Sequence, residues 1–194
     1  MEVARRIVKQ PGQLRPLPNL ADHAAFSAAF SWQAASAELA GLPGGGLNMA
    51  YEAVGRHLAE GRGDKIALRW LGKTGQRREF SYAGLAAQCH RFANALHGLG
   101  VQPGERVFLL LGRLPELYFA LLGALAARCV ASPLFSAFGP EPIATRCEMG
   151  DARMLVTTPE LYRRKVRGLR ERLPGLRHVI LVGAADPELR SDPG

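Results

Sequence analysis

Apolar side chains recur at helical spacing between residues 82 and 99, where Leu85, Cys89, Phe92, Ala93, Leu96 and Leu99 fall on one face. Ser81 supplies an N-cap for a helix over 82–97, and Gly98 with Gly100 stops it. After the turn Pro103-Gly104-Glu105 the pattern changes. The run Val107-Phe108-Leu109-Leu110-Leu111 is continuously apolar, which predicts a strand buried on both faces. Pro115 and Glu116 open a helix over 117–128, with Leu117, Leu121, Leu122 and Leu125 on one side. The alternation continues through a strand at 129–134, a helix at 140–149, a strand at 154–158, a basic helix at 159–173 and a strand at 178–182. Short apolar strands separated by helices predict an α/β fold: a parallel βαβ sheet with flanking helices and right-handed crossovers. Ligands of such sheets bind beyond the carboxyl ends of the strands, here 112–114, 135–139, 157–159 and 183 onward.

Upstream, Met49, Val54 and Leu58 with Ala50 and Ala53 predict a helix over 48–60. Two alternating segments, 65–70 and 76–80, flank Gly72-Lys73-Thr74-Gly75. The tripeptide Gly72-Lys73-Thr74 repeats the last letters of a phosphate-gripping loop. That loop also needs an earlier glycine, so that consecutive N–H groups converge on phosphate, and a helix behind it. Ala67 occupies the glycine position within a strand, and an extended segment follows. The stretch therefore predicts a β-hairpin with a glycine turn.

The organisation read from these patterns is an extended N-terminal arm over 1–47, an α/β subdomain over 48–183 and a polar tail over 184–194. The arm holds Pro11, Pro16, Pro18, Pro43 and a Gly44-Gly45-Gly46 run, with one aromatic patch at Phe26, Phe30 and Trp32. The last strand reads as an open sheet edge, a seam for self-association or for further strands.

Charge narrows the picture less than its size suggests. The net charge of +8 is concentrated between Arg153 and Arg177, where eight basic residues face two acidic ones and supply +6. No zinc-finger spacing, RNA-binding aromatic motif or basic tail accompanies them, so the charge by itself does not point to a nucleic acid partner. Three widely spaced cysteines, Cys89, Cys129 and Cys147, form no disulfide or zinc pattern and point to a reducing cytoplasm. The richest apolar stretch, 117–127, is too short to span a bilayer. No catalytic constellation stands out. His57, His90 and His97 read as helix-surface residues, Ser132 and Ser136 lack a nucleophile elbow, and no metal set or acid–base pair is spaced for chemistry.

The order of several motifs is more telling. The stretches "LNMAYEAVGRH", "FSYAGL", "GVQPGERVFLLL", "RLPEL", "PLFSAFGPE" and "LRHVILVG" follow one another from Leu47 to Gly183. In that order they resemble the AMP-forming acetyl-CoA synthetases of the adenylate-forming superfamily of acyl-CoA synthetases. The resemblance covers about residues 40–183. It implies an enzyme that joins a carboxylate to ATP, with Mg²⁺, and passes the acyl group from the acyl-adenylate to the thiol of CoA. Carboxylate, ATP and CoA are then the partners. It also implies that the Gly- and Thr-rich phosphate loop, the ribose-binding carboxylate and the mobile lysine of such enzymes lie beyond Gly194, so that these 194 residues alone are inactive.

Several positions depart from the family. Gly55 replaces an acidic residue in the early helix, and Ala83-Gly84 offer no glutamate for a capping box behind Ser81. Within the chain, the resemblance places CoA contacts on the loop 135–139, including Phe138 and Gly139, and on Arg163. Ser136 and Ala137 stand where the family has paired glycines. The family's second phosphate-binding arginine falls on Val166, with Lys165 and Arg167 as the nearest substitutes. A second reading of the same residues is the solvated face of an amphipathic helix, and a third is a CoA-, nucleotide- or RNA-binding module built on the basic helix 159–173.

Overall fold

The computed structural model describes residues 20–183 and Leu189, and the rest of the arm and tail lies outside the described residues. The chain divides between Ala40 and Gly41 into two compact units. In the first, the stretch read as an extended arm holds two short helices, α1 (His23–Ala29) and α2 (Trp32–Ala37). Each has a side-chain cap: Asp22 accepts from the Ala25 N–H, and Ser31 from the Ala34 N–H. Phe26, Phe30 and Trp32 stack in series, with centroids 6.0 and 5.2 Å apart.

The second unit opens with Asn48. Its side-chain oxygen accepts from the N–H groups of Ala50 and Tyr51, and its amide donates to the Leu125 carbonyl at 2.9 Å. The expected helix follows, but as a π-turn over Tyr51–Gly55 running into α3 (Arg56–Ala59). Gly55 is explained by the same turn: a Cβ there would lie 2.7 Å from the Tyr51 ring. The helix gives up propensity at Gly55 so that the ring can lie across it.

The hairpin forms as expected, β1 (Ile66–Leu71) against β2 (Arg77–Ser81). Gly72 donates its N–H to the Gln76 carbonyl at 2.8 Å, and Gly75 sits at φ 86°. The Gly72-Lys73-Thr74 tripeptide is thus turn chemistry. Trp70 Nε1 donates to the Arg113 carbonyl at 2.7 Å, and Phe80 meets Phe119 edge-on at 5.1 Å. These contacts fasten the hairpin to the α/β body.

Helix α4 (Tyr82–Gly98) starts at Ser81, whose Oγ accepts from the Gly84 N–H at 3.2 Å without help from a glutamate. Leu85, Ala86, Cys89, Ala93 and Leu96 are buried. Leu99, expected on that face, is exposed because it is the C-cap, where the helical period has ended.

On α5 (Pro115–Ala126) the buried face is not the leucine stripe. Pro115, Phe119, Ala120, Gly123 and Ala124 are buried, while Leu117, Leu121, Leu122 and Leu125 are only partly covered. The reason is closeness. A Cβ at Gly123 would stand 2.6 Å from the Cys89 carbonyl oxygen and 2.9 Å from Phe92, so α4 and α5 touch through small residues, with leucines flanking the contact.

The sheet is parallel throughout, in the order β4-β3-β5-β6: β4 (Val130–Pro133), β3 (Arg106–Leu110), β5 (Ala152–Thr157) and β6 (His178–Leu181). Period-two alternation splits β3 between two cores. Val107 and Leu109 pack with α4 and α5, and Phe108 and Leu110 pack with the opposite layer, which includes Ile143 and Cys147 of α6 (Pro140–Met149). Met154 and Val156 of β5 join the first core and Leu155 the second. Thr157, buried, donates from Oγ1 to the Leu110 carbonyl at 2.9 Å. Among the described residues β6 pairs with β5 alone.

The basic helix departs from the sequence reading. Only α7 (Pro159–Leu161) is α-helical. The chain then widens into a π-turn over Tyr162–Val166 and tightens into a 3₁₀ turn over Arg167–Leu169. Tyr162 and Val166 are both buried, and Leu173 and Leu176 return to the same core after the chain has turned. Gly168 within the 3₁₀ turn removes the side chain that would favour continued helix.

The contact through Gly123 gives a direct test. Gly123→Ala should destabilise the protein by roughly 1–3 kcal/mol despite alanine's better helix propensity, because backbone opposes the new methyl. Gly98→Ala, where a Cβ meets open space, should be neutral or stabilise by up to about 1 kcal/mol. Urea unfolding of both variants checks the pair, and equal effects would contradict the close helix contact.

Candidate functional site

The site is built where β4 and β5 end. Pro133 closes β4, and the buried Leu134 donates its N–H to the Leu109 carbonyl at 2.9 Å, carrying the ladder one residue further. The loop then leaves the sheet in a turn in which Phe138 donates its N–H to the Phe135 carbonyl at 3.0 Å. The two rings meet at 5.6 Å, nearly perpendicular, and Phe135 is left 65% exposed. Arg146, one turn before the end of α6, lays its guanidinium over the Phe138 ring at 4.3 Å. Gly139 is exposed and precedes Pro140 at the start of α6.

Ser136 and Ala137, the side chains in place of paired glycines, need no special backbone. Among described non-glycine residues only Arg128 and Asp151 have positive φ. The loop is therefore unstrained with ordinary residues.

From the other side comes the segment after β5. Thr158 caps α7 by accepting from the Leu161 N–H. The following π-turn buries Tyr162 and Val166, which leaves Arg163, Arg164 and Arg167 exposed. Val166, the position matched to a second phosphate-binding arginine, lies fully inside the core. Lys165 is half-buried and points at the loop after β4: its Nζ donates to the Ser136 carbonyl at 2.7 Å and the Phe138 carbonyl at 2.8 Å. Of the residues singled out from the sequence, the fold thus brings Lys165 and Phe138 together, places Gly139 beside them, and leaves Arg163 of the π-turn and Arg167 of the 3₁₀ turn exposed.

Most of the basic segment is occupied within the protein. Arg153 pairs with Asp151, Arg164 with Glu160 and Arg177 with Glu105, while Arg170 donates to the Leu176 carbonyl. Arg172 grips Glu148 with two nitrogens, at 2.6 and 3.1 Å, and Glu141 with a third at 2.7 Å, joining the end of the segment to α6. Lys165 is engaged in the same way, so the segment's charge is met largely by partners within the protein.

Sequence reasoning named Phe138 but missed the Arg146 guanidinium over it, and missed the grip of Arg172 on Glu141 and Glu148. No local spacing reveals them, because each contact joins two different elements. His57 also differs from its reading as a surface residue: it is half-buried against the Tyr82 ring at 4.4 Å. Its pKa lies below the usual value, first through burial and then through Arg62 and Arg56. Burial pushes the Cys89 and Cys147 thiols up to about 11, so neither serves as a thiolate at neutral pH. Among the described residues no group of three His, Cys, Asp or Glu side chains could hold a metal ion, and no helix is long and apolar enough to cross a membrane.

Residues 56–193 match the model of the AMP-binding enzyme family. The chain belongs to this family. It is 38% identical over 156 residues to an acetyl-coenzyme A synthetase of Bacillus subtilis, covering 79% of this chain and 26% of that protein. An acetyl-coenzyme A synthetase of Streptomyces coelicolor is also 38% identical, over 62% of this chain and 18% of its own length. The chain thus spans about a quarter or less of these relatives. Among solved structures, a Brucella canis acyl-CoA synthetase superposes with a TM-score of 0.71 at 29% identity, over 88% of this chain and 31% of that one. An anthranilate CoA ligase in complex with anthranoyl-AMP superposes with a TM-score of 0.63 at 26% identity, over 71% and 25% of the two chains.

The Arg172 grip carries a pH signature. The hydrogen bond from Arg172 holds the Glu141 carboxyl below its usual range. A carboxylate lowered by folding stabilises fully above its unfolded pKa, about 4.3, and loses that contribution as pH falls through the folded value. Arg172→Met should lower the urea midpoint modestly at pH 7 and low salt, with the difference from wild type shrinking as the pH falls below about 4.3. A difference that does not shrink with falling pH would show that the guanidinium acts through packing.

Proposed function

We propose that these residues form the first part of the AMP-binding domain of a short-chain acyl-CoA ligase, with acetate as the acid. The reaction has two displacements. A carboxylate oxygen attacks the α-phosphorus of ATP and pyrophosphate leaves, giving acyl-AMP. The CoA sulfur then attacks the acyl carbon, the bond to AMP breaks, and the thiol proton is released. The observation that carries this reading is the family match over residues 56–193, joined to 38% identity with acetyl-coenzyme A synthetases. Mg²⁺ neutralising the phosphates and a cytoplasmic location belong to the same proposal.

Within it, residues 48–183 contribute a scaffold and one binding surface for the CoA nucleotide. The exposed Phe135 ring, buttressed by Phe138 and Arg146, offers an aromatic face to a base. Arg163 on the neighbouring π-turn and Arg167 at the start of the 3₁₀ turn, both exposed, supply guanidinium forks suited to a phosphate. Gly139 leaves the start of α6 without a side chain beside that surface. The chemistry itself needs groups that this sequence does not show: no glycine- and threonine-rich phosphate loop occurs in its 194 residues.

Two measurements test the reading. The 194-residue chain should give no acetate-dependent exchange between ATP and pyrophosphate, and robust exchange would overturn the scaffold role. Arg163→Ala should weaken CoA binding about tenfold while leaving dephospho-CoA unchanged, as expected for loss of one charge-assisted phosphate contact. Equal losses for both ligands would rule out that contact.

A further inference from the structure

Lys165 stands beside Arg163 and Arg167 in the sequence, yet its surroundings differ from theirs. They are exposed, whereas the Lys165 stem is half-buried and its ammonium meets two carbonyls of one loop. Those carbonyls, Ser136 and Phe138, belong to the connection after β4, and the lysine to the connection after β5. An ammonium carries three N–H donors on a compact head, so it can bridge two carbonyls that converge, and each such bond is strengthened by the charge. Besides it, the described contacts of residues 135–138 include the Phe138–Phe135 turn bond, the Arg146 stack, the contact between the two rings and the packing of Phe138 against the core that holds Ile143 and Cys147, none of which engages the Ser136 carbonyl. Gly139 gives α6 no side-chain cap that would otherwise fix the loop's exit.

We propose that Lys165 is a positioning residue: it ties the loop after β4 to the π-turn after β5, and so holds the Phe135 face ready for a planar ligand. A large ring left 65% exposed contributes less to the fold than a buried one. Fixed in advance, it binds without the entropy cost of ordering a loop at the moment of association. The lysine acts through the backbone carbonyls and not through the phosphate. That the ligand is the nucleotide end of CoA rests on the function proposed above; the tie between the two connections does not.

The test uses the whole chain with Lys165→Met, and Lys165→Gln as a second variant whose shorter neutral head cannot bridge both carbonyls. Amide hydrogen exchange read at Phe138 should quicken about tenfold in both, while the amides of β3 keep their protection. CoA and dephospho-CoA should lose affinity equally, by about three- to tenfold, and Lys165→Arg, which keeps charged donors, should recover most of it. Unchanged exchange at Phe138 would overturn the tie. A loss confined to CoA would overturn positioning in favour of direct phosphate contact. Should the wild-type chain bind neither ligand, the CoA reading falls, and the exchange at Phe138 still decides the role of Lys165.

Discussion

The double burial of β3 governs this structure. Val107 and Leu109 face one helical layer, Phe108 and Leu110 the other, and all four are essentially without solvent contact. Each such side chain contributes about 1.5–3 kcal/mol on burial, against about 0–1 kcal/mol for a surface ion pair. A strand with both faces covered needs helices on both sides, and only crossover connections place them there. Those crossovers bring the β4 and β5 exits to the same end as the exit of β3. The meeting of the 134–139 loop with the π-turn after β5 is a consequence of that topology.

Charge plays a second, subordinate part. The basic segment looks from its composition like a surface waiting for an anion. In the fold most of its cations are turned to internal use: Arg172 grips α6, Arg177 reaches Glu105, and Lys165 bridges two loop carbonyls. The π-turn at Tyr162–Val166 buries two apolar residues four apart, and the side chains between them inherit the directions that remain. Net charge alone therefore misjudges what the segment can bind.

Local physics explains which elements were legible. Ser81 and Gly100 bound α4, Gly72 and Gly75 fix the hairpin turn, and α6 runs over the predicted residues because Pro140 opens it and Gly150 ends it. The leucine stripe of α5 misled for an equally physical reason. Hydrophobicity marks what gains from burial, whereas the inner face was set by how closely α4 approaches, and only Gly123 and its small neighbours fit there. Gly55 reads in sequence as a weak point, yet it is the floor under the Tyr51 ring.

The sequence by itself determined the parallel α/β class, the hairpin in place of a phosphate loop, the family, and the two stretches from which the candidate surface is built. Each of these follows from period, caps and turn residues within a short window, or from the order of motifs along the chain. Tertiary structure alone decided that Lys165 serves the loop, that Val166 is core, that Arg146 backs Phe138 and that Arg172 holds α6. These are contacts between segments brought together by the crossovers, and the direction of a side chain across such a gap depends on packing that no local pattern records.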